Sequence, residues 1–348
     1  MTFAKNGWYC AAFTSEVGEA LLARRILGLP ILMTRDSDGR VRAIGDRCPH
    51  RFAPLHFGVR EGDTVECPYH GLRFDLGGRC VHNPHGEGRI PETARVPTYP
   101  TEERDGVVWL WPGDPVLADQ SMITDLELVD RGNRVPVEGH LSMPVDYRLI
   151  LDNLMDLSHA AYIHAGTLSP SRAKRNSRYE TDDNSIRVKT VMNDVPTPSS
   201  QSLCFDAPRG DYHSDIEWVF PSTLRQRLAM TETNADPGAG YVTRNAHLIT
   251  PETEHSTHYF WIHTRNRMID DTDADGRARN ILTNAFVNED EPMIRACEDY
   301  MDGNEFFSLQ PLYLETDYAG TRCRRMIEKR ISIETRGVPD AIPASVSA

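Results

Sequence analysis

The sequence predicts an α+β protein in which a small all-β domain precedes a larger domain with an antiparallel sheet and flanking helices. The first third of the chain consists of short alternating apolar runs separated by turn residues, which is typical of many short strands. The remainder mixes strand-like runs with longer segments rich in Leu and Ala, and 348 residues are enough for two domains. We expect domains at 1–115 and 116–335, and a disordered, Pro-bearing tail at 336–348.

Turn dipeptides mark the elements of the first domain. Asp-Gly and Gly-Gly between apolar runs favour tight hairpin turns, because these residues tolerate the positive φ that such turns need. Pro-Gly ends a strand, because proline cannot donate a hydrogen bond to the next strand. We therefore expect a hairpin at 31–48 turning at Asp38-Gly39, a second at 64–81 turning at Gly77-Gly78, and a buried strand at 106–115 that Pro112-Gly113 ends.

The second domain mixes helices and strands. Segment 145–166 lacks proline, is rich in Leu and Ala and stops at Gly166, so we expect a helix with a C-terminal glycine. The other expected elements are strands at 185–193 and 256–266 and helices at 276–287, 292–301 and 317–331.

Charge and cysteine content exclude several classes of function. Lys and Arg total 38 against 51 Asp and Glu, a net charge of −13, whereas nucleic-acid binding rests on neutralising phosphates with cations. The N-terminus lacks the features of a secretory signal, and no run approaches the roughly 18 apolar residues that span a membrane. Seven scattered cysteines do not form a typical disulfide framework. We expect a cytoplasmic protein with reduced thiols and no nucleic-acid or membrane partner.

Two short segments of the β-rich half each combine a cysteine with a histidine. Cys48-x-His50 is followed, after 16 intervening residues, by Cys67-x-x-His70. Two thiolates and two imidazoles are able to bind zinc tetrahedrally. They equally suit a [2Fe-2S] cluster in which two histidines replace two cysteines on one iron. Because each segment supplies one ligand of each type, we favour the cluster and keep zinc as the alternative.

A second pair of histidines lies in the first predicted helix of the larger domain. His159 and His164 are five residues apart, which is about 140° on an ideal helix. Both reach one metal only if the helix ends or distorts between them. Asp156 precedes His159 by three residues and would share its helix face. Two histidines and one carboxylate form the facial triad of non-haem Fe(II) oxygenases, so one carboxylate ligand remains to be found.

Glu289 and Asp290 are candidates for that carboxylate because of their apolar surroundings. The apolar stripe around them consists of Ile281, Leu282, Ala285, Phe286, Met293, Ile294 and Cys297. A buried unpaired carboxylate is costly, so we expect one of the two to bind a cation. Pro292 supports the opposite interpretation, since a helix broken there would leave both acids solvated. The residues alone do not choose between Glu289 and Asp290.

The two metal motifs, in this order, resemble those of the oxygenase component of Rieske non-haem iron oxygenases. The matching segments are CPHR (48–51), CPYHGLRFD (67–75) and DNLMDLSHAAYIH (152–164). Segments similar to the branch that demethylates aromatic ethers, such as vanillate O-demethylase and dicamba monooxygenase, are GWYCAAF (7–13), RFAPL (51–55), HNPHG (82–86), VWLWPGDP (108–115), DYRLILDNLMDL (146–157) and LITPET (248–253). The resemblance covers most of the chain to about residue 335 and implies a Rieske domain followed by a catalytic domain.

The resemblance also implies a role for individual residues. The ligands that it implies are Cys48, His50, Cys67 and His70 for one [2Fe-2S] cluster and His159, His164 and Asp290 for one mononuclear Fe(II). Asp156 would bridge His159 to His70 of the partner subunit and carry electrons between subunits. Asn153 would lie near the iron without binding it. The choice of Asp290 over Glu289 thus comes from the resemblance.

The activity implied by the resemblance is that of a multicomponent monooxygenase. A separate reductase or ferredoxin would deliver electrons from NAD(P)H, and O2 would be used to hydroxylate the methyl group of an aromatic methyl ether. The resulting hemiacetal decomposes to a phenol and formaldehyde. The family forms head-to-tail trimers that bring the cluster of one subunit beside the iron of the next, so we expect a homotrimer.

Three positions and one histidine bear on the identity of the substrate. The resemblance implies that His247 contacts the substrate, and the alternative is a strand histidine that hydrogen-bonds only to the backbone. The chain departs from dicamba monooxygenase at Ile281, where that enzyme has tryptophan, and at Ile262 and His263. We expect these three residues to give the substrate pocket a different shape, and we therefore favour vanillate or a related methoxybenzoate. The alternatives are hydroxylation of an aryl sulfonate methyl group or N-demethylation on the same scaffold and, from another class, an electron-transfer iron-sulfur protein, against which segment 145–300 argues.

Overall fold

The computed structural model describes residues 2–128, 136–165, 167–168, 172, 174–202 and 204–337. These ranges contain eighteen strands and four α-helices. The strands are β1 (Tyr9–Phe13), β2 (Leu22–Ile26), β3 (Leu29–Arg35), β4 (Val41–Gly45), β5 (Val59–Glu61), β6 (Thr64–Glu66), β7 (Arg73–Asp75), β8 (Cys80–His82), β9 (Thr98–Tyr99), β10 (Thr101–Arg104), β11 (Val107–Leu110), β12 (Val137–Met143), β13 (Asn176–Thr181), β14 (Ser185–Pro196), β15 (Arg209–Val219), β16 (Thr223–Thr231), β17 (Tyr241–Thr253) and β18 (Ser256–Arg265). The helices are α1 (Tyr147–Met155), α2 (Thr272–Asn284), α3 (Glu291–Tyr300) and α4 (Tyr318–Gly337).

The strands of the first 110 residues form three small antiparallel sheets. Their strand orders are β1-β11-β10, β2-β3-β4-β9 and β5-β6-β7-β8. The hairpin predicted at Asp38-Gly39 joins β3 to β4, and Gly39 has a φ of +81°. The turn predicted at Gly77-Gly78 joins β7 to β8. The predicted β-rich first part is therefore confirmed.

The larger domain is built on one seven-stranded antiparallel sheet. Its strand order is β12-β18-β17-β16-β15-β14-β13, and every neighbouring pair runs antiparallel. The strands predicted at 185–193 and 256–266 are β14 and β18. Helix α1 contacts β15 and β17, α4 contacts β14, and α2 contacts β12. The predicted α+β architecture is confirmed.

The two parts of the chain share one continuous core. Ile26 and Val108 of the first part are buried in the same apolar cluster as Ile249 and Trp261 of the large sheet. Backbone bonds cross the same boundary, because Leu27 donates to the carbonyl of Pro251 over 2.8 Å. The sheet β5-β6-β7-β8 has a separate core, which includes both cysteines of the predicted cluster motif. That motif therefore lies on a distinct lobe, away from the large sheet.

The prediction of a single helix over 145–166 is wrong. Helix α1 ends at Met155 because Asp156 leaves the helical region, with φ −118° and ψ 90°. The Asp156 carboxylate instead accepts a hydrogen bond from the backbone N–H of Ser158 and begins a short 3₁₀ segment, Leu157–Ala161. Short acidic side chains favour such local bonds over helix continuation. Gly166, the expected C-terminal residue, lies outside the described residues.

The two helices predicted at 276–287 and 292–301 form one continuous helix. A π-helical turn, Ala285–Asp290, joins α2 to α3 without a break. Pro292 is the second residue of α3, directly after the π turn, and the helix continues through it. The interpretation in which Pro292 breaks the helix is therefore wrong, and Asp290 is buried.

The C-terminal region begins as predicted. Helix α4 begins at Tyr318, one residue after the start of the helix expected at 317–331, and continues to Gly337. Residues 338–348, which include most of the expected disordered tail, lie outside the described residues. Within the described ranges, no helix combines the length and the apolar character needed to cross a membrane.

Candidate metal centres

The two Cys–His loops have the same backbone hydrogen bonds. In each loop, the cysteine N–H donates to the carbonyl five residues ahead, and the cysteine carbonyl accepts from the N–H four residues ahead, over 2.8–3.0 Å. The fourth residue after each cysteine has positive φ, 61° at Phe52 and 70° at Gly71. Cys48 and Cys67 therefore begin two equivalent loops that face each other.

The four predicted cluster ligands form two separate pairs. Cys48 and Cys67 are 1% and 2% exposed, whereas the rings of His50 and His70 lie near the surface with centroids 4.5 Å apart. Among the described residues, only one group of three or more His, Cys, Asp and Glu donors converges within 4.8 Å, and it excludes these four. Four ligands of one zinc ion would lie within roughly 4 Å of one another. An inner thiol pair and an outer imidazole pair suit a two-iron cluster, not one zinc ion.

Burial affects the chemistry of the thiol pair. It raises the pKa of Cys48 to about 11, and the adjacent Cys67 thiol adds to the increase. Metal ligation needs thiolates, so binding a cluster releases protons from this buried pair.

The converging group consists of His159, His164 and Asp290. The Nε2 atoms of His159 and His164 lie 3.5 and 3.1 Å from Oδ1 of Asp290. His164 and Asp290 are buried, and His159 is half-buried. Three such donors with one open side fit a mononuclear iron of the facial-triad type. The end of α1 before His159 permits this convergence, which a straight helix would prevent.

Each histidine of this triad has its second ring nitrogen occupied. Nδ1 of His159 lies 2.6 Å from the backbone oxygen of Asp156, and Nδ1 of His164 lies 2.5 Å from Oε2 of Glu289. Both partners are acceptors, so both Nδ1 atoms carry the proton when the rings are neutral. The Nε2 atoms are then unprotonated and lie on the side of each ring that faces Asp290, where they are available to a metal ion.

The two acidic side chains of the π turn have different roles. Asp290 points into the triad and accepts a hydrogen bond from Nδ2 of Asn153 over 3.0 Å. Glu289 lies behind His164 and accepts a second bond from Asn284 over 2.9 Å. The geometry therefore separates the two acids that the residue pattern left undecided. A role for Glu289 as a partner of His164 was not predicted, because no local pattern relates residues 125 positions apart.

The π turn also changes the helix face that follows it. Ala285, Phe286 and Ile294 are buried, but Met293 is 53% exposed and Cys297 is exposed. The extra residue in the wider turn rotates α3 relative to an uninterrupted helix. The predicted apolar stripe is therefore wrong at Met293 and Cys297.

The environments of the two histidines shift their pKa values in opposite directions. Burial lowers the pKa of His159 and keeps its ring neutral. Burial also lowers the pKa of His164, but its bonds to Asp290 and Glu289 outweigh this effect and raise the pKa overall. The two carboxylates thus favour a positive charge at this site, whether a proton or a metal ion.

Asp156 does not share a helix face with His159, so that prediction is wrong. It lies at the break after α1, and its carboxylate accepts from the N–H and Oγ of Ser158 over 2.8 and 3.0 Å. Its backbone carbonyl, rather than its side chain, contacts the His159 ring.

A cavity of about 80 Å³ lies between the large sheet and α2. Its lining comprises Leu168, Ser200, Gln201, Cys204, Leu228, Tyr241, Thr243, Asn245, His263, Arg265, Ala274, Arg277, Ala278, Ile281 and Leu282. The N–H of Leu168 donates to the carbonyl of His164, so the cavity begins beside the triad. Ile281 and His263 line it as expected. Ile262 is buried on the opposite face of β18, in a core with Trp109, so a pocket role for Ile262 is wrong.

His247 lies on β17 beyond this lining. Its Nδ1 is 2.7 Å from the Tyr259 hydroxyl, and its buried Nε2 has no hydrogen-bond partner among the described residues. Burial lowers the pKa of His247 to about 4, so the ring is neutral at physiological pH. The Phe286 ring, four residues before Asp290, lies 5.9 Å from it.

Comparison with known proteins agrees with this geometry. Residues 7–100 match the Rieske [2Fe-2S] domain family, and residues 143–332 match the vanillate O-demethylase oxygenase C-terminal domain family. Similar proteins include the oxygenase component of chloroacetanilide N-alkylformylase from Rhizorhabdus wittichii, 39% identical over 98% of this chain and 99% of that protein. The oxygenase component of dicamba O-demethylase from Stenotrophomonas maltophilia is 39% identical over 96% of this chain and 99% of that protein. The oxygenase subunit of vanillate O-demethylase from a Pseudomonas species is 31% identical over 98% of this chain and 99% of that protein.

Solved structures lead to the same assignment. Dicamba monooxygenase bound to dicamba superposes with a TM-score of 0.86 at 36% identity, covering 97% of this chain and 100% of that one. A structure of that enzyme also contains a non-haem iron. The protein thus carries one Rieske [2Fe-2S] cluster and one mononuclear iron, and an electron carrier without a catalytic domain is excluded. The chain belongs to the Rieske non-haem iron oxygenases, as an oxygenase component with a vanillate O-demethylase-type catalytic domain.

Proposed function

We propose that the protein O-demethylates an aromatic methyl ether, vanillate or a related methoxybenzoate, to a phenol and formaldehyde. The observation that carries this proposal is the triad of His159, His164 and Asp290 beside the cavity between the large sheet and α2. The relatives that act on dicamba and vanillate support the reaction class. We retain the division into domains at 1–115 and 116–335, and the family matches at 7–100 and 143–332 support it because each falls within one of these ranges.

The residues have distinct tasks in this proposal. His159, His164 and Asp290 hold Fe(II), and Cys48, His50, Cys67 and His70 hold the cluster. When bound, the iron activates O2 and the cluster supplies it with electrons. Glu289 and the backbone oxygen of Asp156 keep the Nδ1 protons of the two histidines in place, which fixes the rings and raises their basicity. Asn153 orients the Asp290 carboxylate.

His247 is the proposed substrate contact nearest the triad. Its unpartnered Nε2 is able to hydrogen-bond a substrate oxygen, while Tyr259 fixes the ring from the other side. The apolar side chains of Leu168, Ile281 and Leu282 exclude water from the cavity, which prevents side reactions.

The assembly is part of the proposal. Electrons arrive from a separate NAD(P)H-dependent reductase or a ferredoxin, and the protein forms a homotrimer. Asp156 then connects His159 with His70 of the partner subunit. The partly exposed Asp156 carboxylate supports this role, since a second subunit is able to reach it.

The test is a metal count followed by a substrate panel. Anaerobically purified protein should contain three irons per chain, give the rhombic EPR signal of a reduced Rieske cluster, and release formaldehyde from vanillate with a reductase. Asp290→Asn should reduce the count to two irons and abolish formaldehyde while the EPR signal persists. Asp299→Asn, an acid on the same helix away from the triad, is the control. Zinc instead of iron, or formaldehyde release by Asp290→Asn, would refute the assignment.

N-dealkylation is the second candidate. The relative that supports it is the chloroacetanilide N-alkylformylase, which is as similar to this chain as the dicamba enzyme. A parallel assay with a chloroacetanilide separates the two: turnover of the anilide without formaldehyde from any methoxybenzoate would favour N-dealkylation.

A further inference from the structure

Three polar side chains of the cavity have buried atoms without hydrogen-bond partners. They are Oε1 of Gln201, Nε of Arg265 and Nε of Arg277, and no described residue pairs with them. Gln201 and Arg265 are more than nine-tenths buried. Buried polar atoms are nearly always paired in folded proteins, so three unpaired atoms around one cavity indicate a ligand group that pairs with them.

These groups lie at the end of the cavity far from the triad. Arg265 pairs with Thr243 in the β17–β18 ladder, four residues along β17 from His247. At a strand rise of about 3.4 Å per residue, Arg265 and His247 are separated by roughly 14 Å along the strand. Ile281 and Leu282 lie between them on α2, nearer to Phe286 and Asp290 than Arg277 is. The cavity is thus apolar at the metal side and polar at the distant side.

The unpaired arginine N–H groups at the polar end favour an anionic acceptor. Nη1 of Arg265 is paired with Asp275 at 2.8 Å, and its Nη2 donates to backbone carbonyls, which leaves Nε without a partner. Arg277 is held more loosely, because its Nη2 lies 3.7 Å from Oδ2 of Asp271. A carboxylate accepts charge-assisted bonds from arginine N–H groups, and these are stronger than neutral hydrogen bonds.

We propose that Arg277, supported by Arg265 and Gln201, binds the carboxylate of the substrate and thereby selects methoxybenzoates whose acid group lies across the ring from the ether. This inference rests on the proposed O-demethylase function. An acid beside the ether, as in a 2-methoxybenzoate, cannot reach Arg277 while its methyl group is at the metal. The amide of Gln201 is able to turn its NH2 group towards the same carboxylate.

The test measures binding, so it does not depend on turnover. Calorimetry with the anaerobic, iron-loaded protein compares 4-methoxybenzoate with its neutral counterpart 4-methoxybenzamide and with 2-methoxybenzoate. We expect 4-methoxybenzoate to bind at least tenfold more tightly than either. In Arg277→Gln the acid and the amide should bind within threefold of each other. Arg295→Gln, which removes an exposed arginine outside the cavity, should keep the full preference.

Each result decides the proposal. Equal binding of acid and amide by the unaltered protein, or an unchanged preference in Arg277→Gln, would overturn it, and the first comparison needs no variant to fold. Failure of the proposed O-demethylase function would give a different result. In that case no methoxybenzoate would release formaldehyde, whichever compound binds more tightly.

Discussion

His164 is hydrogen-bonded through Nδ1 to Oε2 of Glu289 at 2.5 Å, while its Nε2 lies 3.1 Å from Asp290. Two consecutive acids of the π turn therefore hold opposite sides of one imidazole. Successive residues of a regular α-helix point about 100° apart, and the wider π turn allows both to reach the same ring.

Glu289→Gln should weaken iron binding at the mononuclear site by about 10- to 100-fold, because the neutral amide is a weaker partner for Nδ1–H. The cluster lies on a separate lobe and should be unaffected. Iron titration, with the Rieske EPR signal as an internal reference, measures the change. Glu291→Gln, two residues further along, should bind iron normally. Equal iron affinity in both variants would contradict a role for Glu289.

Cys67→Ser should abolish the visible spectrum of the cluster, because Cys48 and Cys67 form the only buried thiol pair that faces both histidine-bearing loops in the described part of the chain. Cys80→Ser is the matched control, since Cys80 is also buried in this lobe but its Sγ contacts the carbonyl of His82 over 3.4 Å. Absorption and EPR spectra should distinguish the two variants. A full spectrum from Cys67→Ser would remove Cys67 from the ligand set.

Asp156→Asn should lower steady-state turnover at least tenfold while leaving the fold intact. Asparagine caps a helix as well as aspartate does, so the bonds to Ser158 are kept and only the charge is lost. Stopped-flow reoxidation of the reduced cluster should slow by the same factor if Asp156 connects the subunits. Asp156→Ala should in addition lower the stability by about 1 kcal/mol, through loss of the cap. Normal reoxidation in Asp156→Asn would argue against the bridge.

A relay of neutral histidines at the domain boundary should make stability depend on pH. Nε2 of His258 donates to the carbonyl of Arg25 over 3.1 Å, so its Nδ1 accepts from Nε2 of His140 at 3.1 Å. The remaining Nδ1 of His140 faces Arg24, which is paired with Glu16. Protonation of either ring breaks one of these bonds, and at His140 it also adds a cation beside Arg24.

Burial, with Arg24 and His258, lowers the pKa of His140 from 6.5 to about 4. The unfolded chain therefore binds more protons, and stability present at neutral pH is lost as the pH falls below about 6.5 towards 4. Nearby Glu16 and Glu252 oppose the effect without reversing it. Allowing for solvent screening, we expect a loss of about 1 kcal/mol by pH 5, or about 2–4 °C in Tm.

Thermal unfolding at pH 7 and pH 5 checks this prediction. His140→Gln keeps an acceptor for Arg24 and a donor for His258 but does not titrate, so its Tm should change less between the two pH values. An equal change in Tm in the unaltered protein and in His140→Gln would show that other groups cause the pH dependence.

The sequence predicted those parts of the site that are encoded locally. The cysteine–histidine spacings and the pair His159–His164 lie within short segments, so their ligand character follows from residue type and distance along the chain. The turn dipeptides at Asp38-Gly39 and Gly77-Gly78 likewise act through the backbone of the residues themselves. The same local reasoning failed at Asp156, where a side-chain cap competes with helix continuation and nothing in the composition of 145–166 shows which prevails.

By itself, the sequence determined the fold class, the two kinds of metal centre and the candidate ligands, because patterning and ligand spacing are properties of neighbouring residues. Only the tertiary structure decided that Asp290 faces the triad and Glu289 supports His164, that Ile262 faces away from the cavity, and that Arg277 lies at its polar end. The first outcome depends on the π turn, and the other two depend on how β18 and α2 pack and on the resulting rotation of each element about its axis. Packing between elements distant in sequence fixes that rotation, and no local pattern encodes it.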